Sequence, residues 1–293
     1  MELFRALGVL AESPAGPETA RLAGVLELGA QPSASDYTEA FVFQLYPYAS
    51  VYLGAEGMLG GEARDRVAGF WRALGHAPPS EADHLPVMLS LYARLSELEE
   101  GETLAKHRER WRGARRAFLW EHLLSWLPVY LGKMSEIAPP FYRRWAGLLQ
   151  DALAEEASKL GAQETLSLHL REAPGVVDPR SGGAEEFLGS LLAPVRSGII
   201  LTRSDLSRAA LSVRVGSRIG ERKFILKALM SQDARGTLGW LAEEARRSAA
   251  RHREQTPTPL GVSGWWAERA ETTASLLEEL ETATDSAQVS EEF

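Results

Sequence analysis

The sequence predicts an all-α fold, a helical bundle, on three observations. Apolar residues recur at three- and four-residue steps nearly throughout, strand-like alternation is almost missing, and proline and glycine punctuate the periodic stretches at sensible places. Ser197 to Leu201 is the one short run that tempts a strand assignment. The chain has 293 residues, 45% hydrophobic and 25% charged, enough for one large or two smaller domains with buried cores.

Taken in order, residues 1–16 read as an amphipathic helix. Their apolar part is too short for a secretion signal and carries Glu2 and Arg5. No apolar run is long enough to cross a bilayer. Pro14–Pro17, Gly54–Gly61, Gly75–Pro79 and Pro139–Pro140 read as helix connections. Leu85, Met88, Leu89, Tyr92 and Leu95 give one apolar face to a helix starting near Ser80. Leu119, Leu123, Trp126 and Tyr130 do the same for the next long helix, which Pro128 should kink or end. Phe141, Trp145, Leu148, Leu149 and Ala152 mark a third.

The largest break runs from Ala173 through Pro179 to Gly183. It implies a first domain over 1–161, a linker over 162–183, and a helical extension over 184–293. In the extension, Thr202 and Asp205 have the spacing of a capping box at a helix start. Gly216 and Gly220 flank a turn between two short helices, Arg235–Arg253 reads as a longer exposed helix, and the acidic tail after Leu280 reads as frayed.

The net charge of −8 is unevenly spread. Residues 196–253 hold 13 basic and 5 acidic residues, residues 1–195 hold 18 and 26, and residues 254–293 hold one basic residue, Arg269, against 9 acidic ones. A basic segment between acidic ones bears on internal docking or on partner choice.

Several chemistries are excluded or lack a signature. Cysteine is absent, which removes disulfides, thiolate metal sites and a cysteine nucleophile. No histidine pair stands four residues apart, so the common zinc sites are missing. There is no Walker-type Gly-Lys-Ser/Thr, no Gly-x-Gly-x-x-Gly after a strand and no Gly-x-Ser-x-Gly. No carboxylate pair is singled out for catalysis, and a hydrolase or metalloenzyme is the most distant reading.

Three blocks between Pro47 and Tyr142 carry more. The first is Pro47-Tyr48-Ala49-Ser50-Val51-Tyr52-Leu53. Its tyrosines could simply fill gaps between helices, but aromatics beside a proline bend also make a rigid apolar groove for a guest peptide. The second is Glu81-Ala82-Asp83-His84-Leu85. Here Ser80 or Asp83 can cap the following helix, with Pro86 favouring a later start, and Asp83 can still leave one carboxylate oxygen for a cationic guest. His84, at a helix start, is disfavoured in its protonated form. The third block is His122-Leu123-Leu124-Ser125-Trp126-Leu127-Pro128, followed by Pro140-Phe141-Tyr142. His122 and Trp126 are four apart, hence on one helix face, and His122 is either a hydrogen-bonded core histidine or a groove residue.

In order and spacing these blocks resemble the TorD/DmsD/NarJ family, cytoplasmic chaperones that help mature molybdenum-containing redox enzymes. The family's Glu-Pro-x-Asp-His motif stands here as Glu81-Ala82-Asp83-His84, one residue shorter and without the proline. Its Pro-x-x-Ser-Val-Tyr-Leu block is matched at Pro47–Leu53 and its His-Leu-x-x-Trp block at His122–Leu127. The resemblance covers about residues 40–155 and leaves the region after Gly161 without a counterpart.

That resemblance implies a non-enzymatic, cytoplasmic protein. Its partner would be the apo form of a molybdopterin-containing oxidoreductase subunit, or that subunit's twin-arginine signal peptide. The implied peptide-binding residues are Pro47, Tyr48, Ser50, Tyr52, Asp83, His84, His122 and Trp126, with Asp83 pairing a guest arginine and Tyr48, Tyr52 and Trp126 giving apolar contact. It implies no resident cofactor, leaves a guanine nucleotide open as a ligand, and leaves homodimerisation open. The competing reading is a DNA-binding regulator, with Arg203, Arg208, Arg214, Arg218, Arg222, Lys223 and Lys227 as a helix-turn-helix-like basic segment. The acidic whole chain favours instead a basic face that docks on the rest of the protein.

Overall fold

The computed structural model describes residues 1–12, 16–162, 165–254 and 262–291, with side chains of the last helix as far as Thr284. Pro14 of the first expected connection lies outside the described residues. Among the described residues every regular element is helical, and extended pairing is confined to one antiparallel bridge between Tyr48 and His84. Ser197 to Leu201 forms no strand. Two compact units are present: one of Met1–Gly54, Met58–Arg171 and Gln255–Val262, the other of Ala55–Gly57, Glu172–Glu254 and Ser263–Phe293.

In the first unit the Glu2–Glu12 helix lays Phe4, Leu7, Leu10 and Ala11 against the Leu85–Gly101 helix. The latter packs in turn on Ala105–Phe118. Leu127–Ile137 packs on Pro140–Leu160, and the Trp145 Nε1–H donates to Leu7 O (3.0 Å), joining the last of these helices to the first. Phe41 meets the edges of Tyr142 and Trp145 at 4.9 and 5.8 Å between ring centres.

A buried charged network crosses these helices. Arg115 donates to Ser96 Oγ (2.7 Å) and Glu156 Oε2 (3.2 Å) and pairs with Glu99 (2.9 Å), while the Tyr92 hydroxyl donates to the same Glu156 oxygen (2.6 Å). Charges this deep persist because each is answered by a partner.

Two expectations about element boundaries are corrected. The helix expected from Ser80 begins at Leu85, with Pro86 in its first turn, because proline has no amide to donate and fits only there. The helix expected to run from Leu119 through Tyr130 is interrupted. Leu119–Leu123 is a π-helical turn, Leu124–Trp126 is irregular, and a new helix starts at Leu127 with Pro128 in its first turn. His122 and Trp126 therefore do not share one helix face.

The second unit has its own core, including Phe187, Leu191, Leu206, Ile225, Leu226, Leu229, Leu241 and Leu277. The capping box forms as its spacing predicts: Asp205 N–H donates to Thr202 Oγ1 (3.3 Å), and Thr202 N–H to Asp205 Oδ2 (2.7 Å). The expected exposed helix is Ala234–Glu254, which in fact buries Leu238, Trp240, Leu241, Ala245 and Ala249 and is amphipathic. The tail expected to fray continues as the Val262–Glu291 helix.

Basic and acidic segments of this unit are stitched together. Arg246 pairs with Glu278, Arg253 with Glu271 (2.6 Å), Lys223 with Glu185 (3.1 Å), and Arg251 with Glu244 (2.8 Å). The basic segment does not form a helix-turn-helix. Val213–Glu221 separates Arg203–Ser212 from Arg222–Gln232, where that motif has a turn of about 3–4 residues.

Candidate peptide-binding site

The three sequence blocks meet in the first unit. Leu85 N–H donates to Pro47 O (2.8 Å) and Ala49 N–H to Asp83 O (3.0 Å), so the first two blocks are zipped on either side of the Tyr48–His84 bridge. The rings of Tyr48 and His84 stack, with centres 4.6 Å apart and planes at 23°. The Tyr48 hydroxyl donates to Glu81 Oε2 (3.1 Å). Burial, and then that carboxylate, push the phenol up to about 12. Burial also lowers the His84 pKa, outweighing the opposite pull of Glu81, Glu12 and Asp83. The half-buried pair is thus a neutral, hydrogen-bonding aromatic platform, with exposed Glu81 at its edge.

Asp83 takes a role the sequence did not assign. Its Oδ2 accepts from the Ser50 N–H (3.0 Å), in the first turn of the Ala49–Leu53 helix. It therefore caps a helix from another part of the chain rather than the one directly after it. His84 holds the N-cap position of Leu85–Gly101 without a side-chain bond. Asp83 is 2% exposed, so the free carboxylate oxygen expected for a guest arginine is not on offer. Ser50 extends the chain of bonds, its hydroxyl accepting from Gly60 N–H (3.0 Å).

The third block joins through Tyr52. Tyr52 stacks on Trp126 at 5.1 Å and 12°, and both meet Tyr130 edge-on, at 5.2 and 5.1 Å. The Tyr52 hydroxyl donates to Tyr46 O (2.9 Å), and Trp126 Nε1–H donates to His122 O (2.9 Å). Trp126 is fully buried and Tyr52 nearly so, so the apolar contact expected of them is with each other. His122 sits against Phe118 (5.2 Å) and Phe70 (5.4 Å), and burial together with the Arg66 guanidinium lowers it to about 4.

All eight expected residues thus belong to one connected set of contacts, in which Tyr48, His84 and part of His122 reach solvent, while Pro47, Ser50, Tyr52, Asp83 and Trp126 are buried. Residue-by-residue reading passed over Glu81, Tyr46, Tyr130 and Phe70. Glu81 had a visible signal, as the leading acid of its block. Phe70 had none, because its meeting with His122 joins distant parts of the chain. Val42 and Phe43 are exposed on the π-helix Thr38–Gln44 that leads into Pro47. An aromatic, hydrogen-bonding surface with one acidic edge suits binding of a basic and apolar segment.

Part of the chain is similar to known proteins. Residues 12–131 match the family model described as nitrate reductase delta subunit. Through this region the chain is similar to the TorD/DmsD/NarJ family. It is similar to two proteins named chaperone protein TorD, both from Vibrio vulnificus. With that of strain YJ016 it shares 32% identity over 115 residues, 35% of this chain and 52% of the relative; with that of strain CMCP6, 31% over 115 residues with the same shares. The chain spans about half the length of these curated relatives. Both relatives are named as chaperones. No helix among the described residues is long and apolar enough to cross a membrane.

Proposed function

We propose that this protein is a cytoplasmic assembly chaperone. It binds the apo form, or the twin-arginine leader, of a molybdopterin-containing oxidoreductase subunit before cofactor insertion or export. The observation that carries this reading is that the Pro47–Leu53 segment joins all three blocks, zipped to Asp83 and Leu85 and stacked through Tyr52 on Trp126, with Tyr48, His84 and Glu81 reaching solvent. A leader that is basic and then apolar finds a carboxylate acceptor in Glu81 and an aromatic face in the Tyr48–His84 stack. Asp83 and Trp126 act indirectly, Asp83 by fixing Ala49 and Ser50 and Trp126 by fixing Tyr52.

Calorimetry with a candidate leader peptide tests the reading. Glu81→Gln and Tyr48→Ala should each weaken binding by roughly 1–2 kcal/mol, about five- to thirtyfold in Kd. Unchanged affinity in both variants would place the guest elsewhere. A peptide whose twin arginines are replaced by glutamine should lose most of the difference between wild type and Glu81→Gln.

A further inference from the structure

The loop Val213–Glu221 is built rather than slack. Val213 and Val215 pack on the second unit's core. Beyond them the Gln232 side chain grips Gly216 at both backbone groups, accepting from its N–H and donating to its O, each at 3.0 Å. Arg214 holds a left-handed conformation (φ 59°) that turns it to solvent between the two anchoring valines. The loop and the helix ends on either side of it expose apolar and basic side chains together. Ile219 is 100% exposed, Leu211 80% and Phe224 54%, and the Phe224 ring lies over Gly220. Arg214 and Arg218 are exposed, and among the described residues no acid pairs with either.

From Arg203 to Lys227 there are seven basic residues and two acidic ones, Asp205 and Glu221. Most of the others are engaged within the unit: Lys223 and Lys227 with Glu185, Arg208 with Asp205, and Arg222 with Leu201 O (2.9 Å). Of the three left over, Arg203, Arg214 and Arg218, the last two lie in the loop that projects the isoleucine. Duplex DNA would satisfy the two guanidiniums but has nothing for Leu211, Ile219 and Phe224. A folded acidic partner would need a matching hole for a side chain as exposed as in an extended peptide. A bilayer surface gives both at once, phosphate at the depth of the arginines and a deformable apolar layer beneath. The chain's overall negative charge does not forbid this, because charges beyond about 8 Å are screened at physiological ionic strength.

We propose that this loop is a docking element for an anionic phospholipid surface, with Ile219, Phe224 and Leu211 entering the interface and Arg214 and Arg218 holding lipid phosphates. The test is co-sedimentation of the full chain with vesicles of phosphatidylcholine, alone or with about a third phosphatidylglycerol. The wild-type chain should pellet with the anionic vesicles and stay behind with the neutral ones. The double variant Arg214→Glu/Arg218→Glu should reduce partitioning by roughly tenfold or more, and Ile219→Asp by roughly tenfold.

All three positions are exposed, so circular dichroism and the thermal transition should be unchanged in these variants, and leader-peptide affinity with them. That last readout separates failure of this proposal from failure of the chaperone reading. Partitioning that is absent, equal on neutral vesicles, or unaltered in the variants overturns the proposal. So does retention on duplex DNA without retention on anionic vesicles.

Discussion

Asp83 shows how one side chain's role depends on what the fold brings to it. Its sequence neighbourhood is that of a helix cap, and a cap is what it becomes, but for Ala49–Leu53, 33 residues away from the residue it bonds at Ser50. Asp83→Ala should therefore cost about 1–2 kcal/mol of folding stability, read as a lowered denaturant midpoint, as for an ordinary N-cap. Any accompanying loss of peptide affinity then comes from a loosened Pro47–Leu53 segment. Trp126→Ala should cost about 3–5 kcal/mol, since it removes a fully buried indole stacked on Tyr52. Glu81→Gln, at an exposed position, should leave stability nearly untouched, and so separates recognition from folding.

At the level of elements, the helices are set by local pattern and joined by a few buried polar ties. Thr202 and Asp205 were legible because both partners of the box lie within one turn. The π-turns at Thr38–Gln44 and Leu119–Leu123 were not, because one residue added to a turn leaves the apolar repeat almost intact while rotating every later side chain of the helix. The Arg115–Glu156–Tyr92 network makes its own prediction. Glu156→Ala leaves the buried Arg115 with Glu99 as its one carboxylate and the Tyr92 hydroxyl without its acceptor, and should destabilise by about 2–4 kcal/mol in urea unfolding. Replacing Arg115, Glu156 and Tyr92 together with Met, Leu and Phe should cost far less. In the second unit, Gly198 has φ 74° and lies directly against the Arg269–Ala270 backbone. Gly198→Ala should destabilise by about 2–4 kcal/mol, since a Cβ there meets both a left-handed backbone and a neighbouring helix.

Across the whole molecule, His122, His169 and His252 join His84 in making stability fall in acid. Burial lowers His122 to about 4, with Arg66 adding to it, and His169 to about 3, with Arg66 and His122 adding. Burial lowers His252 to about 4, although its Nε2–H donates to Gly198 O (2.9 Å). In each case the folded state resists protonation more than the unfolded chain does. As pH falls below the usual histidine value of about 6.5, the unfolded chain takes up protons first. Their contribution is complete above about 6.5 and is lost progressively toward about 4, by a few kcal/mol in total. Urea midpoints measured from pH 7 to 4.5 should drop accordingly, and His252→Gln should flatten part of that slope. Stability that stayed constant over this range would show that these imidazoles are hydrated in the folded state.

By itself the sequence determined the all-α class, the order of the helices, the capping box at Thr202 and the three blocks that carry the family resemblance. All of these are carried by spacings within a turn or two, or by residue order, and neither needs a distant partner. The tertiary structure alone decided that Asp83 faces Ser50, that Trp126 and Tyr52 are buried against each other while Tyr48 and His84 reach solvent, and that the basic loop after Ser212 exposes an isoleucine beside arginines unpaired among the described residues. The reason is that a side chain's burial and hydrogen-bond partner are set by whichever other segment packs across it, and local periodicity carries no information about that segment.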